Sequence, residues 1–152
     1  MIKIIKPTVS DISDMQTLVE PYVKNGTILY RSDNEIASTI RSYTLIKDDN
    51  KIIGFSALHI HSLTLCEIRS LIVDENYRKD KLATKLVNNL LDEAKVLGLK
   101  EVLALTYVDD FFLNLGFKTI EKEQIPDQKI WLDCSRCKHF PVCNEISLIK
   151  QI

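Results

Sequence analysis

From residue 63 to residue 106 the chain is patterned as a strand, a polar loop, an amphipathic helix and a second strand, an order that few architectures accept. Residues 63–73 read as one long strand, with Leu63, Leu65, Glu67, Arg69, Leu71 and Val73 on one face and Cys66, Ile68, Ser70 and Ile72 on the other. The segment 74–80 is polar throughout and is expected to be a loop. Between residues 81 and 97, Leu82, Ala83, Leu86, Val87, Leu90, Leu91 and Ala94 recur at helical spacing, and Gly98 stops the run. Residues 101–106 then read as a buried strand, followed by a short helix at 109–115 that Gly116 closes. A helix with one apolar stripe between two strands must lay that stripe on a sheet.

The flanking segments fit the same plan. Residues 2–5 predict a first strand, and Ser10-Asp11 caps a helix that runs to about Lys24 through Ile12, Met15, Leu18, Val19 and Tyr22. Gly26 breaks it, and a second helix is expected from residue 33 to about 42 through Ile36, Ala37 and Ile40. Residues 43–47, the turn Asp48-Asp49-Asn50 and residues 51–60 predict a hairpin, and residues 117–121 and 129–132 two later strands. The chain has no repeat and no Pro/Gly/Ser linker, so residues 1–152 are expected to form a single α/β domain, a mixed sheet buried between helices.

Twenty basic side chains against twenty-one acidic ones give a formal charge of -1, which offers no electrostatic ground for a nucleic-acid partner or a membrane surface. No apolar run approaches the roughly 18 residues of a spanning helix. The start, Met1-Ile-Lys-Ile-Ile-Lys-Pro7, lacks the apolar stretch and cleavage site of a secretory signal, and a cytoplasmic location is expected.

The stretch E-I-R-S-L-I-V-D-E-N-Y-R-K-D-K-L-A-T-K-L-V, from Glu67 to Val87, resembles the acetyl-CoA-binding motif of the GNAT acetyltransferases. The later A-L-T-Y-V-D-D-F-F-L-N-L-G-F, from Ala104 to Phe117, resembles that family's strand–helix–strand segment and its terminal G-F. More narrowly, these two stretches, with G-T-I-L-Y-R-S at 26–32 and W-L-D-C-S-R-C-x-x-F-P-x-C at 131–143, are similar to the short stand-alone N-acetylglutamate synthases. The resemblance implies a central mixed, mostly antiparallel sheet flanked by helices. It also implies transfer of an acetyl group from acetyl-CoA to an amine, most narrowly that of L-glutamate, as in arginine biosynthesis. Another amine acceptor, or a non-catalytic acyl-CoA or metal-binding module, are the alternatives. A homodimer through sheet edges or C-terminal strands is a further option in such domains.

The resemblance also assigns residues. Backbone groups of Leu71, Ile72 and Val73 would face the pantetheine arm and thioester, one amide serving as oxyanion donor. Arg78, Lys79, Asp80, Lys81, Leu82, Ala83 and Thr84 would wrap the pyrophosphate at a helix N-terminus, whose open N–H groups suit an anion. The family's R/Q-x-x-G-x-G/A pattern is met at Arg78 and Ala83, but Lys81 stands at the middle glycine.

Glu67 is a candidate general base and Arg69 a fork for a substrate carboxylate; the two could instead pair with each other. Phe112 occupies the position four before Gly116 where many relatives carry an acidic tyrosine, so Tyr107 is the alternative proton donor or else a packing residue. Lys6 and Arg31 fall where glutamate-acetylating relatives carry basic residues, and each could equally be a surface charge. His59 and His61 alternate on a strand and are expected to be structural.

Cys134, Cys137, His139 and Cys143 offer three thiolates and one imidazole, a set that would satisfy a structural zinc. A single CxxC is short of the two pairs of a zinc ribbon, and free or disulfide-forming thiols are the favoured state of this C-terminal segment, about 133–152.

Overall fold

The computed structural model of the protein describes residues 1–125 and 145–152. Seven strands, β1 (Ile2–Ile5), β2 (Tyr43–Asp48), β3 (Lys51–Ile60), β4 (Leu65–Val73), β5 (Glu101–Thr106), β6 (Lys118–Ile120) and β7 (Ile146–Gln151), make one sheet among these residues. Their order is β1-β2-β3-β4-β5-β7-β6. Every neighbouring pair is antiparallel except β4 and β5, which are parallel. The expected mixed, mostly antiparallel sheet is therefore the observed one. No helix among the described residues is long and apolar enough to cross a membrane.

Helices α1 (Ile12–Lys24) and α2 (Asp33–Ser38) cover one face. There Ile12, Met15, Val19 and Ile36 pack on Tyr43, Leu45, Phe55 and Ala57. Helix α3 (Leu82–Val96) covers the other, its Val87, Leu90, Leu91 and Ala94 against Leu58, Cys66, Ile68, Val102 and Ala104. A short α4 (Asp110–Asn114) adds Phe112 to that second core.

Local chemistry sets the boundaries. Helix α1 begins directly after Asp11, its N-cap, and is preceded by a 3-10 turn at Val9–Asp11 with a capping box in which the Thr8 N–H donates to Asp11 Oδ2 at 2.8 Å. Ser32 and Glu35 form a second box at the start of α2. That helix ends at Ser38 instead of about residue 42, because the Ser38 and Thr39 hydroxyls both donate to the Glu35 carbonyl, at 2.9 and 2.8 Å. Strand β4 begins at Leu65, two residues later than expected, since His61 and Ser62 N–H groups both close a turn on the Leu65 carbonyl.

The period-two reading of residues 63–73 fails at one point. On β3, Phe55 faces Ile72 but Ala57 faces Arg69, so Ser70 and Leu71 together oppose Ser56. Ser70 sits in the left-handed region with φ of 58°. This bulge inverts the alternation. Glu67, Arg69 and Ile72 share the α1 face, whereas Val73 and Leu71 join Leu82 and Leu86 on the α3 face.

Two further corrections follow. Residues 74–80 contain a 3-10 helix, Glu75–Asp80, whose first turn is capped by Asp74 Oδ1 accepting from the Asn76 N–H at 2.9 Å. Strand β7 has no counterpart among the predicted strands. Its I-S-L-I-K-Q sequence alternates only weakly, and it is a strand because it fills the gap between β5 and β6. The strand expected at 129–132, with Trp131, lies outside the described residues.

Candidate active site

Strands β4 and β5 are in register from Leu65–Glu101 to Ile68–Ala104 and then part, although β4 continues to Val73 and β5 to Thr106. A cleft of about 460 Å³ opens at the fork. Its walls are Ile68, Arg69, Ser70 and Leu71 from β4, Leu105 to Val108 from β5 and beyond, residues 26–31 after α1, and Phe111, Phe112 and Glu145.

The predicted site residues divide. Arg31, Arg69, Leu71 and Tyr107 line this one cleft. Arg31 is only 9% exposed, and its carbonyl accepts from Gln16 Nε2 at 2.8 Å, which fixes the segment that carries it. The Arg69 carbonyl likewise accepts from the buried Ser56 hydroxyl at 2.9 Å. Lys6 is elsewhere. Its ammonium reaches Thr44 Oγ1 and Glu93 Oε2, both at 3.4 Å, so it lies by α3 and does not join the two arginines. Phe112 is core, as its type suggests. Ile72 and Val73 are also core, on opposite faces, and neither side chain lines the cleft.

At the pyrophosphate loop, Lys81 has φ of 55° and caps α3 from the left-handed region. That conformation accounts for a glycine at this position of the family pattern, since glycine adopts it without strain. Leu82 is core at 1% exposure, so only its backbone can serve a ligand. The first intrahelical bond among these residues is Lys85 N–H to the Lys81 carbonyl, which leaves the N–H groups of Leu82, Ala83 and Thr84 in the open first turn. Arg78 is tied to protein on both sides: Nε donates to the Val73 carbonyl at 3.3 Å and Nη2 to the Tyr22 hydroxyl at 2.6 Å. Asp80 and Lys81 are exposed, and the side chain of Lys79 lies outside the described residues.

Lys81→Gly is expected to relieve about 1–2 kcal/mol of left-handed strain and lose about 0.4–1 kcal/mol to the freer unfolded chain. The net gain should appear as a melting temperature raised by up to ~4 °C in thermal denaturation. A destabilised variant would contradict it.

Glu67 is 2% exposed, one step deeper than Arg69 on the same face. His61, expected to be structural, has its Nε2 2.9 Å from Glu67 Oε1, and its ring meets that of His59 edge-on with centroids 4.7 Å apart. The signal that links His61 to Glu67 is tertiary: His59 and Glu67 are cross-strand neighbours, and His61 lies diagonal to Glu67 across the hairpin. On the reverse face, burial, with Glu67 and Glu93 adding to it, pushes the Cys66 thiol up to about 12, so it stays protonated and inert. Cys134, Cys137, His139 and Cys143 lie outside the described residues, among which no three metal-ligating side chains cluster.

The acetyltransferase (GNAT) family profile matches residues 11–117, and the chain belongs to that family of N-acetyltransferases. It is 35% identical over 143 residues to an uncharacterized N-acetyltransferase of Chlorobaculum tepidum, covering 94% of this chain and 92% of that one. An amino-acid acetyltransferase of Aeromonas salmonicida is 27% identical over 124 residues, where the match takes 80% of this chain but only 28% of the relative. Among solved structures, N-acetylglutamate synthase from Neisseria gonorrhoeae, complexed with coenzyme A and N-acetyl-glutamate, superposes with a TM-score of 0.87 at 21% identity. That superposition covers 99% of this chain and 35% of the synthase. A Mycobacterium tuberculosis protein in complex with CoA gives 0.84 at 20% identity, covering 99% of both chains. At these identities the structures show a shared fold.

Proposed function

We propose that the protein transfers the acetyl group of acetyl-CoA directly to the amino group of L-glutamate. The observation that carries this is the cleft at the β4–β5 fork, to which two elements distant in sequence each bring a guanidinium, Arg31 and Arg69. A substrate with two carboxylates needs two such anchors, and a planar fork suits each of them. The parted strands leave β4 backbone open beside Leu71, where an acyl carbonyl would find an amide donor. The open N–H groups of Leu82, Ala83 and Thr84, with Arg78 and the loop 79–81, would hold the pyrophosphate. Glu67 would take the ammonium proton, and Tyr107, at the cleft wall, would face the departing sulfur. The amino-acid acetyltransferase and synthase relatives support an amino-acid acceptor.

Glu145 lines the same cleft and favours a second reading, in which the acceptor is a cationic amine. An acetyl-CoA consumption assay with glutamate, glutamine, aspartate and spermidine separates the two. Glutamate should be used best and glutamine rejected, because one neutral amide leaves a buried cation poorly paired. A preference for spermidine would move the assignment to the cationic amine.

A further inference from the structure

Glu67 and His61 are the most buried pair of titratable side chains described, 2% and 1% exposed, yet the acetyltransferase mechanism above uses only the carboxylate. We propose that His61 is a positioning residue for Glu67: its Nε2–H holds Oε1 and so sets the orientation of the carboxylate that takes the proton. The inference rests on the acetyl-transfer function proposed above and adds a residue to it.

The geometry fixes the tautomer. Nε2 and Oε1 are 2.9 Å apart, and Nδ1 of the same ring is buried with no hydrogen-bond partner among the described residues. With the proton on Nε2, the ring donates to a carboxylate, and the stranded atom is only a lone pair. With the proton on Nδ1, a buried N–H would be stranded, and the Nε2 lone pair would need a protonated carboxyl opposite it. Leaving a buried donor unmet is the costlier choice, and a hydrogen bond to an ionised group is among the stronger ones available.

The surroundings restrict movement of the pair. His61 is pinned by its own N–H to the Leu65 carbonyl at 2.9 Å, and the His59 ring abuts it edge-on. Glu67 lies opposite His59 on one side and Leu103 on the other. A carboxylate buried without donors would hold its proton and could not act as a base. The imidazole supplies Glu67 with a donor and holds Oε1 in place.

The proton balance is closed. One proton of the substrate ammonium passes to the Glu67 carboxylate, directly or through one water. The freed lone pair forms the new C–N bond, the C–S bond breaks, and the nitrogen's surplus proton goes to the departing thiolate. The proton on Glu67 returns to solvent when the product leaves.

The test uses the full chain and whichever amine it acetylates best. His61→Leu should lower kcat about tenfold, the loss expected for one hydrogen bond to a charged group, with KM for both substrates within about threefold. His61→Gln, which restores an N–H donor, should recover most of that rate. Glu67→Gln combined with His61→Leu should be no slower than Glu67→Gln alone, as for residues that act as a unit. Independently of any variant, ¹⁵N-resolved NMR of the natural protein should show His61 protonated at Nε2 and protected from exchange.

An Nδ1–H tautomer, an unchanged His61→Leu rate, or additive losses in the double variant would overturn the role of His61 while leaving acetyl transfer intact. A protein that acetylates no amine would overturn the functional proposal itself.

Discussion

Arg69→Ala should lower kcat/KM for L-glutamate about 10- to 150-fold, equivalent to ~1.5–3 kcal/mol for a charge-assisted hydrogen bond, with acetyl-CoA affinity nearly unchanged. The separation is expected because Arg69 stands at the fork, whereas the open helix turn offered to the pyrophosphate begins at Leu82. The backbone at this point is held independently of the side chain by the Ser56 hydroxyl on the Arg69 carbonyl, so truncation should remove the guanidinium and little else. Steady-state kinetics on natural and variant protein with the four amines, beside calorimetric titration of acetyl-CoA, reads both quantities. A variant that keeps its efficiency with glutamate would remove Arg69 from the acceptor site.

Gly54→Ala should destabilise the fold by about 1–3 kcal/mol, the usual range for overpacking a tight site. A Cβ on Gly54 would stand 2.8 Å from the Ile72 carbonyl oxygen and 3.4 Å from Ile46 Cδ1 and Val73 Cγ2. The nearest atom is backbone, so relief requires β4 to move. Ile72 directly follows the bulge at Ser70 and Leu71, which opens onto the cleft. The substitution should therefore weaken acetyl-CoA binding as well as stability, in contrast to Lys81→Gly. Thermal denaturation and acetyl-CoA titration of the variant give the two readouts, and a protein that melts and binds as the natural one does would refute the account.

The helices and the central strands were legible because their signals are local and long. The α3 stripe from Leu82 to Ala94 spans several turns of one period, and residues 101–106 were assigned to their observed strand bounds. The cleft arginines were legible by residue type and resemblance. The resemblance grouped Lys6 with them, and only the tertiary structure separates it, because Lys6, of the same charge, belongs to another face.

The sequence by itself determined the periodicities, the cap at Asp11, the stop at Gly98 and the motif that marks an acetyltransferase, because each depends on residues within a few positions of one another. The tertiary structure alone decided the bulge at Ser70, the strand at Ile146–Gln151, and the burial of Glu67 against His61. Each of these depends on what a neighbouring strand presents. A strand adjusts its register to the partner it meets, and a buried carboxylate keeps its charge only where a distant donor is brought to it.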